Sequence, residues 1–148
     1  MINPVPHTFS GESGFVPASQ LDDDFAFVNT IVTPAQQGAD ITGAADCSAA
    51  ITAAAAFGTT IVFTKGTYLV GTNLSISVPV IMLGGAKISV ATGKTVTFNA
   101  GFQAPIEQVF SNALASQGTI AFNPAFLMLG YPEWWGAQTG NSAVDCTP

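Results

Sequence analysis

Short runs of alternating apolar and polar residues dominate the middle of the chain, from Phe57 to Phe98. In the range 74–78 apolar residues alternate with serines, which predicts a strand with one buried face and one solvated face. Further runs rich in Val, Ile, Thr, Tyr or Phe, each bounded by Gly, Pro or Asn, occupy 61–63, 68–70, 80–83, 87–90 and 95–98. Strands this short, joined by tight turns without helices between them, predict a mainly β fold: a small parallel β-helix (solenoid) or, alternatively, a β-sandwich.

A helical period precedes the strands in the range 18–33. Leu21, Phe25, Val28 and Val32 are spaced 4, 3 and 4 residues apart, so they form a single apolar stripe on a helix. The stripe can pack on the body of its own chain, or it can pack against the same stripe of neighbouring copies in a small bundle. The second interpretation makes these four residues candidate oligomer contacts.

A second helix is predicted over residues 46–57. Asp46 can cap its start, and its alanine content favours a helix. Its apolar face consists of Ala50, Ile51, Ala54 and Phe57. A short apolar helix directly before a run of strands is placed to cover the open first turn of a solenoid, where strand edges would otherwise be unpaired.

These elements divide the chain into four parts. Residues 1–17 contain three prolines and two glycines, which predicts an extended arm without a core of its own. The short helix at 18–33 follows, and then a small β-helical domain over 34–130, which begins with a loop at 34–44 and includes the capping helix at 46–57. Residues 131–148 break the strand pattern and are predicted to form a junction.

The end of the chain repeats an earlier sequence. Residues 38–48 (GADITGAADCS) and 136–147 (GAQTGNSAVDCT) share Gly-Ala, then Thr-Gly, then Ala-x-Asp-Cys followed by Ser or Thr. We therefore expect the 148 residues to be a piece of a longer protein, ending where a second, truncated β-helical unit begins. Cys47 and Cys146 would occupy equivalent positions in the two units, which predicts two free thiols and not one disulfide.

Composition and charge narrow the classes of function. Hydrophobic residues make up 48% of the chain and charged residues only 8%, against roughly 25% in ordinary soluble domains, which hints at burial against other chains. The absence of Arg, the presence of only three Lys and a net charge of −6 exclude nucleic-acid binding, which needs cations to neutralise phosphates. No run of 18 apolar residues predicts a membrane span, and the first nine residues (MINPVPHTF) lack the features of a secretory signal.

No group of residues predicts a catalytic or metal site. Glycan hydrolysis uses two carboxylates about 5 to 10 Å apart, and no such pair is suggested by the spacing of the acidic residues outside the arm and the first helix. Those residues are Asp40, Asp46, Glu107, Glu133 and Asp145. His7 lies in the arm without spaced metal-ligating partners. We therefore predict no cofactor and no enzymatic activity for residues 1–148.

The order of the motifs resembles a known family. The motif at 38–46 (GADITGAAD), followed by 61–70 (IVFTKGTYLV), is similar to the opening of right-handed parallel β-helices of the pectate-lyase-like superfamily, as found in bacteriophage tailspikes and polysaccharide depolymerases. Residues 132–137 (PEWWGA) resemble the junction that often precedes the main β-helix of such proteins, and 18–28 resembles an N-terminal segment common in phage tail fibres. The acidic loop departs from the family pattern because Ala44 and Ala45 precede Asp46.

The resemblance implies a structural role in a virion. It implies the N-terminal, particle-binding region of a phage tailspike, a homotrimer assembled in the cytoplasm of the bacterial host. The arm would bind the phage tail, the baseplate or another tailspike protein, and a missing C-terminal β-helix would bind or degrade host surface polysaccharide. Trp134 and Trp135 would lie at the seam between the two β-helical units.

Two alternatives remain from the sequence. The chain could be a polysaccharide-binding or polysaccharide-degrading β-helix module of a carbohydrate-active enzyme, in which Trp134 or Trp135 stacks on a sugar ring. It could also be a bacterial β-helical surface adhesin, against which the lack of a secretory signal argues if Met1 is the true start.

Overall fold

The structure is a computed structural model that describes residues 31–57, 59–111, 118–126 and 129–137. Within these ranges the chain is mainly β. The ten strands are β1 Ile31–Val32, β2 Thr42–Asp46, β3 Thr60–Phe63, β4 Gly66–Val70, β5 Leu74–Ile76, β6 Val80–Met82, β7 Ala86–Val90, β8 Thr95–Phe98, β9 Phe102–Gln103 and β10 Thr119–Phe122. One α-helix (α1, Ser48–Phe57) and two 3₁₀ helices (the first Pro34–Gln37, the second Pro132–Trp135) complete the described elements. No helix in these ranges is long and apolar enough to cross a membrane.

The strands form three sheets, and the chain visits them in a fixed order. Sheet A is ordered β1-β3-β6-β9, sheet B is ordered β2-β4-β7, and sheet C is ordered β5-β8-β10. From β3 onward the chain passes from A to B to C, then returns to A beside its previous strand. All strand pairs in the described ranges are parallel. The hairpin pairs on which an immunoglobulin-type β-sandwich depends are therefore not seen there.

Pairing in register places side chains in columns that run along the stack. Three of these columns point into the core, and each ends in a phenylalanine at the C-terminal end of the stack. They are Ile61–Val80–Phe102, Tyr68–Ile88–Phe110 and Ile76–Phe98–Phe122. All of these side chains are buried except Phe122, which is partly buried. The interior is thus shared by the three sheets and becomes more aromatic towards its end.

Helix α1 begins at Ser48, two residues later than predicted because Asp46 ends β2, and it packs against the first 3₁₀ helix, β1, β3 and β5. Ile51 and Ala54 are fully buried, while the expectation that Phe57 shares this buried face is wrong, because its side chain is 67% exposed. The carboxylate of Asp46 holds the helix start. Its Oδ1 accepts hydrogen bonds from the Ser48 N–H (2.9 Å), the Ser48 hydroxyl (2.6 Å) and the Gly71 N–H (2.8 Å).

The helix predicted over residues 18–33 is not observed at residues 31–33, the part of that range that the structure describes. Val32 lies in β1, in register with Ile61, and Thr33 begins the first 3₁₀ helix with a capping box. Pro34 explains part of this difference, since a residue before proline is disfavoured in the α region. Val32 is 4% exposed within its own chain, so it is not available as an oligomer contact. The other three residues of the predicted stripe lie outside the described residues: Leu21, Phe25 and Val28.

The predicted loop at 34–44 contains regular structure. Besides the first 3₁₀ helix, β2 runs along β4, with an irregularity in its register. The sequence of β2, TGAAD, has no apolar alternation, and its side chains are mostly exposed. The strand therefore depends on hydrogen bonds with residues distant in sequence, such as that from the Thr67 N–H to the Ile41 carbonyl (2.7 Å). Of the four predicted parts, the arm at 1–17 and residues 138–148 lie outside the described ranges.

Candidate functional site at the C-terminal end of the stack

Aromatic side chains gather where the strand stack ends, and we call this group the aromatic cluster. Ring contacts join its members in a continuous set, with centroid separations from 4.8 to 6.4 Å. These distances are typical of favourable aromatic packing. The members are Phe98, Phe102, Phe110, Phe122, Tyr131, Trp134 and Trp135.

Trp134 closes the interior of the stack. Its side chain is 2% exposed, and its ring meets Phe102 edge-on at 5.2 Å. The indole Nε1–H donates a hydrogen bond to the Pro105 carbonyl (3.0 Å), so the polar atom of the ring is satisfied inside the protein. The backbone carbonyl of Trp134 accepts hydrogen bonds from the N–H groups of Val109 (3.1 Å) and Phe110 (2.9 Å). The second 3₁₀ helix therefore lies against the backbone next to the last position of sheet B.

Trp135 differs from its neighbour in exposure. Its side chain is 39% exposed and packs at 5.2 Å from Phe110 and 6.2 Å from Phe122. One side of the ring is held by the cluster, and part of the ring meets solvent. If a sugar ring stacks on either tryptophan, only Trp135 offers the surface for it. The second unit of the predicted seam lies outside the described residues, so the seam itself stays a prediction.

The structure extends the internal repeat to the residues before it. Both 3₁₀ helices begin with a proline and end at a left-handed glycine, Gly38 (φ 84°, ψ 19°) and Gly136 (φ 90°, ψ 13°). In both, the glycine N–H and the following alanine N–H donate to carbonyls three and five residues back. Pro-x-x-x-Gly-Ala at 34–39 and 132–137 is the sequence signal of this shared turn, and it lies partly before the repeat predicted from residue 38 onward.

The side chains of the two turns have different roles. Gln36 is exposed and completes the capping box with Thr33, whereas Trp134, at the equivalent position, is buried in the aromatic cluster. The two segments therefore share a backbone turn. The residue at the third position of the turn, Gln36 or Trp134, decides whether the turn is exposed to solvent or packs into a core.

The carboxylate of Asp40 organises the loop before β2. It accepts hydrogen bonds from Thr42 N–H (2.8 Å), Thr42 hydroxyl (2.7 Å), Ala44 N–H (3.1 Å) and Ala45 N–H (2.8 Å). These bonds, first the one from the Thr42 hydroxyl, lower the pKa of Asp40. The Ser48 hydroxyl likewise is the main cause that lowers the pKa of Asp46. Both groups are acceptors for the local backbone, which fits the structural role expected from the sequence.

The remaining acidic candidates are Glu107, Glu133 and Asp145. Glu107 uses its Oε1 to accept the Gly85 N–H at the turn between sheets A and B (2.6 Å). Oε2 of Glu133 is enclosed and has no hydrogen-bond partner in the described part of the chain. Asp145 lies outside that part. No group of three or more His, Cys, Asp or Glu residues that could hold a metal ion occurs among the described residues.

Cys47 is a free, buried thiol, as predicted. Its Sγ–H donates to the Asp40 carbonyl (3.0 Å), and burial raises the pKa of the thiol. The protonated thiol is a poor nucleophile, so Cys47 has a packing role. Cys146 lies outside the described residues.

The outward rows of the three sheets differ in polarity. On sheet A the outward row consists of Val62, Ile81 and Gln103, and no charged residue stands in it among the described strands. On sheet C, Ser75 pairs with Thr97, and Thr95 pairs with Thr119 in the same outward set. Sheet B carries Lys87 in register with Thr67. The outward row of sheet A is therefore the most apolar face of the stack.

Comparisons with protein-family models, with curated proteins and with solved structures find no match to this chain.

Proposed function

We propose that this chain is a structural unit of a spike-like assembly, the N-terminal virion-attachment region of a phage tailspike. Its role would be to anchor and space a C-terminal β-helix that binds or degrades host polysaccharide. The observation that supports this proposal is the repeated path from sheet A to B to C, with each strand parallel to the one before. A parallel β-helix, of the right-handed kind proposed or of the opposite hand, requires this path, and such a stack would form a rod along which further units can be added.

The described side chains favour a mechanical role over a catalytic one. Asp40, Asp46 and Glu107 all accept hydrogen bonds from backbone N–H groups, so these carboxylates stabilise turns. The inward columns and the buried Trp134 ring belong to one continuous core. In this proposal the chain transmits position and force, and the chemistry belongs to another part of the spike.

The proposed assembly is a homotrimer with contacts on the outward row of sheet A. Val62 and Ile81 form an uncharged apolar surface on this face. Burying such a row against neighbouring copies removes apolar area from water and also accounts for the low charge of the chain. The N-terminal arm, in this proposal, binds the phage tail, baseplate or another tailspike protein.

Solution mass, measured by light scattering after size exclusion, tests the assembly. The full chain is expected to have the mass of three copies. Ile81→Lys places a charge in the outward row of sheet A and is expected to give monomers, whereas Thr97→Lys on the outward row of sheet C leaves the mass unchanged. A monomeric full chain would overturn the trimeric proposal, and equal behaviour of the two variants would overturn the assignment of its interface.

Polysaccharide binding is the second candidate function, and the partly exposed Trp135 ring favours it. Stacking of a sugar ring on Trp135 predicts that binding to host surface polysaccharide, measured by calorimetry, is lost in Trp135→Ala. The fold should be unchanged, because the ring of Trp134 closes the core. Binding that is absent from the unmodified chain, or that survives in Trp135→Ala, would reject this candidate.

A further inference from the structure

The large apolar side chains that are exposed in the described part of the chain fall into two groups. Leu83, which is 45% exposed, and Ile106, which is 64% exposed, lie along the side of the stack, in the turns that follow β6 and β9 of sheet A. The others belong to segments before β3 or after β10: Ile31, Ile41, Phe57, Phe126, Leu129 and Trp135. A further unit added at either end of the stack would not cover Leu83 and Ile106, so only a partner at its side can bury them.

One hydrogen bond holds the turns of Leu83 and Ile106 side by side. The N–H of Gly85, two residues after Leu83, donates to Oε1 of Glu107, which directly follows Ile106 (2.6 Å). The Lys65 side chain flanks the same turns, because a Cβ on Gly85 would lie 3.1 Å from the Lys65 Cγ. We call Leu83 and Ile106 the apolar ridge. It runs along the corner between sheets A and B, with Lys65 and Glu107 at its border.

The outward row of sheet A is too small to hold copies of the chain together by itself. It consists of Val62, Ile81 and Gln103 on three neighbouring strands. Strands lie about 4.8 Å apart, so the row is only about 10 Å long. A stable interface buries about 800 Å² on each partner, from roughly 20 residues or more. The proposed contact must therefore extend beyond the row.

The apolar ridge continues the row without a break. The Leu83 N–H donates to the Phe63 carbonyl (2.9 Å), so the pairing of β6 with β3 extends to Leu83. Leu83 follows Ile81 by two residues, and extended backbone places such residues on the same face of a sheet. Row and ridge together form one apolar surface that turns from the face of sheet A onto its corner with sheet B.

Charged side chains of the described residues are confined to another side of the stack. They lie on sheet B, in the segments that lead into or out of it, or in the second 3₁₀ helix, which lies against its last position: Asp40, Asp46, Lys65, Lys87, Lys94, Glu107 and Glu133. Removing a charge from water without a partner is costly. Sheet A can therefore be buried against another copy at low cost, whereas the face of sheet B carries Lys87 and favours solvent.

A closed ring of three copies also needs two different patches on each copy. In a three-fold ring each contact is heterologous, so a patch on one copy meets a different patch on the next. The row lies on the face of a sheet and the ridge lies at its corner, so the two patches point in different directions. A row that met the same row on a neighbour would give a dimer.

We propose that the apolar ridge of one copy, Leu83 and Ile106, packs against the outward row of sheet A of the next copy. This inference rests on the proposed trimer and deepens it, because it names the two patches that close the ring. Sheet B then faces solvent. Lys65 and Glu107 lie at the rim of each contact, where interfaces are usually polar and wet.

Cross-linking between two different variants of the full chain tests which patches meet. In a Cys146→Ser background, with the buried Cys47 retained, one variant carries Ile81→Cys and the other carries Ile106→Cys. The two are co-expressed and treated with a short bismaleimide. We expect a product that joins one chain of each kind, identified by its mass under denaturing conditions. Each variant expressed alone should give at least tenfold less product, because its cysteine would face an unmodified patch.

The outcomes separate this inference from the proposed trimer. Abundant product from Ile81→Cys alone would mean that rows meet rows, and equal yields from the mixed and the single samples would mean that ridge and row do not meet. Either result in a sample of trimeric mass would overturn the inference and leave the trimer intact. A monomeric mass for the unmodified chain would overturn both. The Cys146→Ser background alone gives the baseline yield, to which Cys47 contributes nothing if it stays buried.

A charge in the ridge provides a second measurement that does not need engineered cysteines. Leu83→Lys should weaken the trimer at least tenfold, measured as dissociation to monomers on dilution by light scattering after size exclusion. The fold should be kept, because Leu83 is 45% exposed, and an unchanged melting curve of the monomer checks this. The matched control is Thr97→Lys on the outward row of sheet C, which should dissociate like the unmodified chain. Equal dissociation of the two variants would overturn the inference.

Discussion

The two ends of the strand stack are covered by different structural elements. At the N-terminal end α1 lies across the first turn and contributes small residues, with Ile51 as its one large buried side chain. At the C-terminal end a short 3₁₀ helix inserts one large ring, Trp134, against two phenylalanines, Phe102 and Phe122. The helix packs one face across the first strands, whereas the tryptophan ring inserts between the side chains of the last strands.

The columns explain why the C-terminal end needs large rings. Inside the stack each residue is covered above and below by its register partners, so aliphatic side chains suffice, as with Val70 on Val90. The last residue of a column lacks a partner on one side and must be covered by other means. Phe102, Phe110 and Phe122 hold these last positions, and their rings are covered by one another and by the tryptophans.

Substitution of Trp134 should break this closure most severely. Trp134→Ala removes a buried ring and its hydrogen bond to Pro105, and we expect a loss of about 3 to 5 kcal/mol in the free energy of unfolding. Urea unfolding followed by circular dichroism measures the loss. The control Trp135→Ala, at a side chain that is 39% exposed, should cost no more than about 1 kcal/mol. Equal losses would mean that the cluster is closed by both rings together.

The turn before β10 should be nearly as sensitive. A Cβ on Gly118 would collide with the Val90 side chain and come within 2.5 Å of the Ala91 carbonyl oxygen and 2.6 Å of the Lys94 carbonyl oxygen. Gly118→Ala should therefore cost about 1 to 3 kcal/mol by overpacking. Gly101→Ala is the control, because nothing lies within 4 Å of its Cβ position. Equal melting temperatures for the two variants would contradict this prediction, because they would mean that the backbone at residue 118 shifts to accommodate the added methyl group at little cost.

Strands β3 to β8 could be predicted from the sequence because the pattern that marks each strand lies within the strand itself. Alternation and bounding turn residues located β3 to β8 to within about two residues, since each inward position is apolar whichever strand it pairs with. β1 and β2 could not be predicted in this way. β2 carries no strand pattern of its own, and β1 is only two residues long although Ile31 and Val32 are β-branched. Both become strands through pairing with β3 and β4.

The candidate site was predicted only in part for a similar reason. The sequence predicts that the two tryptophans lie at a seam, but their division into a buried and a partly exposed ring depends on the turn at Gly136 and on Pro105, which is 29 residues from Trp134. The exposure of Phe57 could not be predicted from helical periodicity either. A helical stripe shows which residues share a face, but the length of the covered surface decides which of them are buried.

Asp46 should be the most sensitive polar residue at the N-terminal end. Asp46→Ala removes the acceptor that joins the start of α1 to Gly71, and we expect a loss of about 1 to 2 kcal/mol, as for other helix caps. The folded state lowers the pKa of Asp46 below its ordinary value of 3.8, so its contribution is present above that pH and is lost as the pH falls through the folded pKa.

A pH series checks this assignment. The difference in stability between the unmodified chain and Asp46→Asn should be constant near neutral pH and shrink on acidification below about pH 4. Asp40 titrates in the same direction in both proteins, so its effect cancels in the difference. A difference that grows on acidification would contradict the cap role of Asp46.

A smaller effect than at Asp46 is expected at Tyr68, the one aromatic residue that begins an inward column. Its ring is fully buried and meets Phe63 edge-on at 5.0 Å, while its hydroxyl lies 3.0 Å from the Thr64 hydroxyl and donates to the Thr64 carbonyl (3.1 Å). Tyr68→Phe keeps the packing and removes the hydroxyl, which should cost about 0.5 to 1.5 kcal/mol in urea unfolding. Tyr131→Phe, in the partly buried rim of the aromatic cluster, is the comparison at the other end and should cost less. A larger loss at Tyr131 would mean that polar contacts hold the C-terminal closure together, and not ring packing.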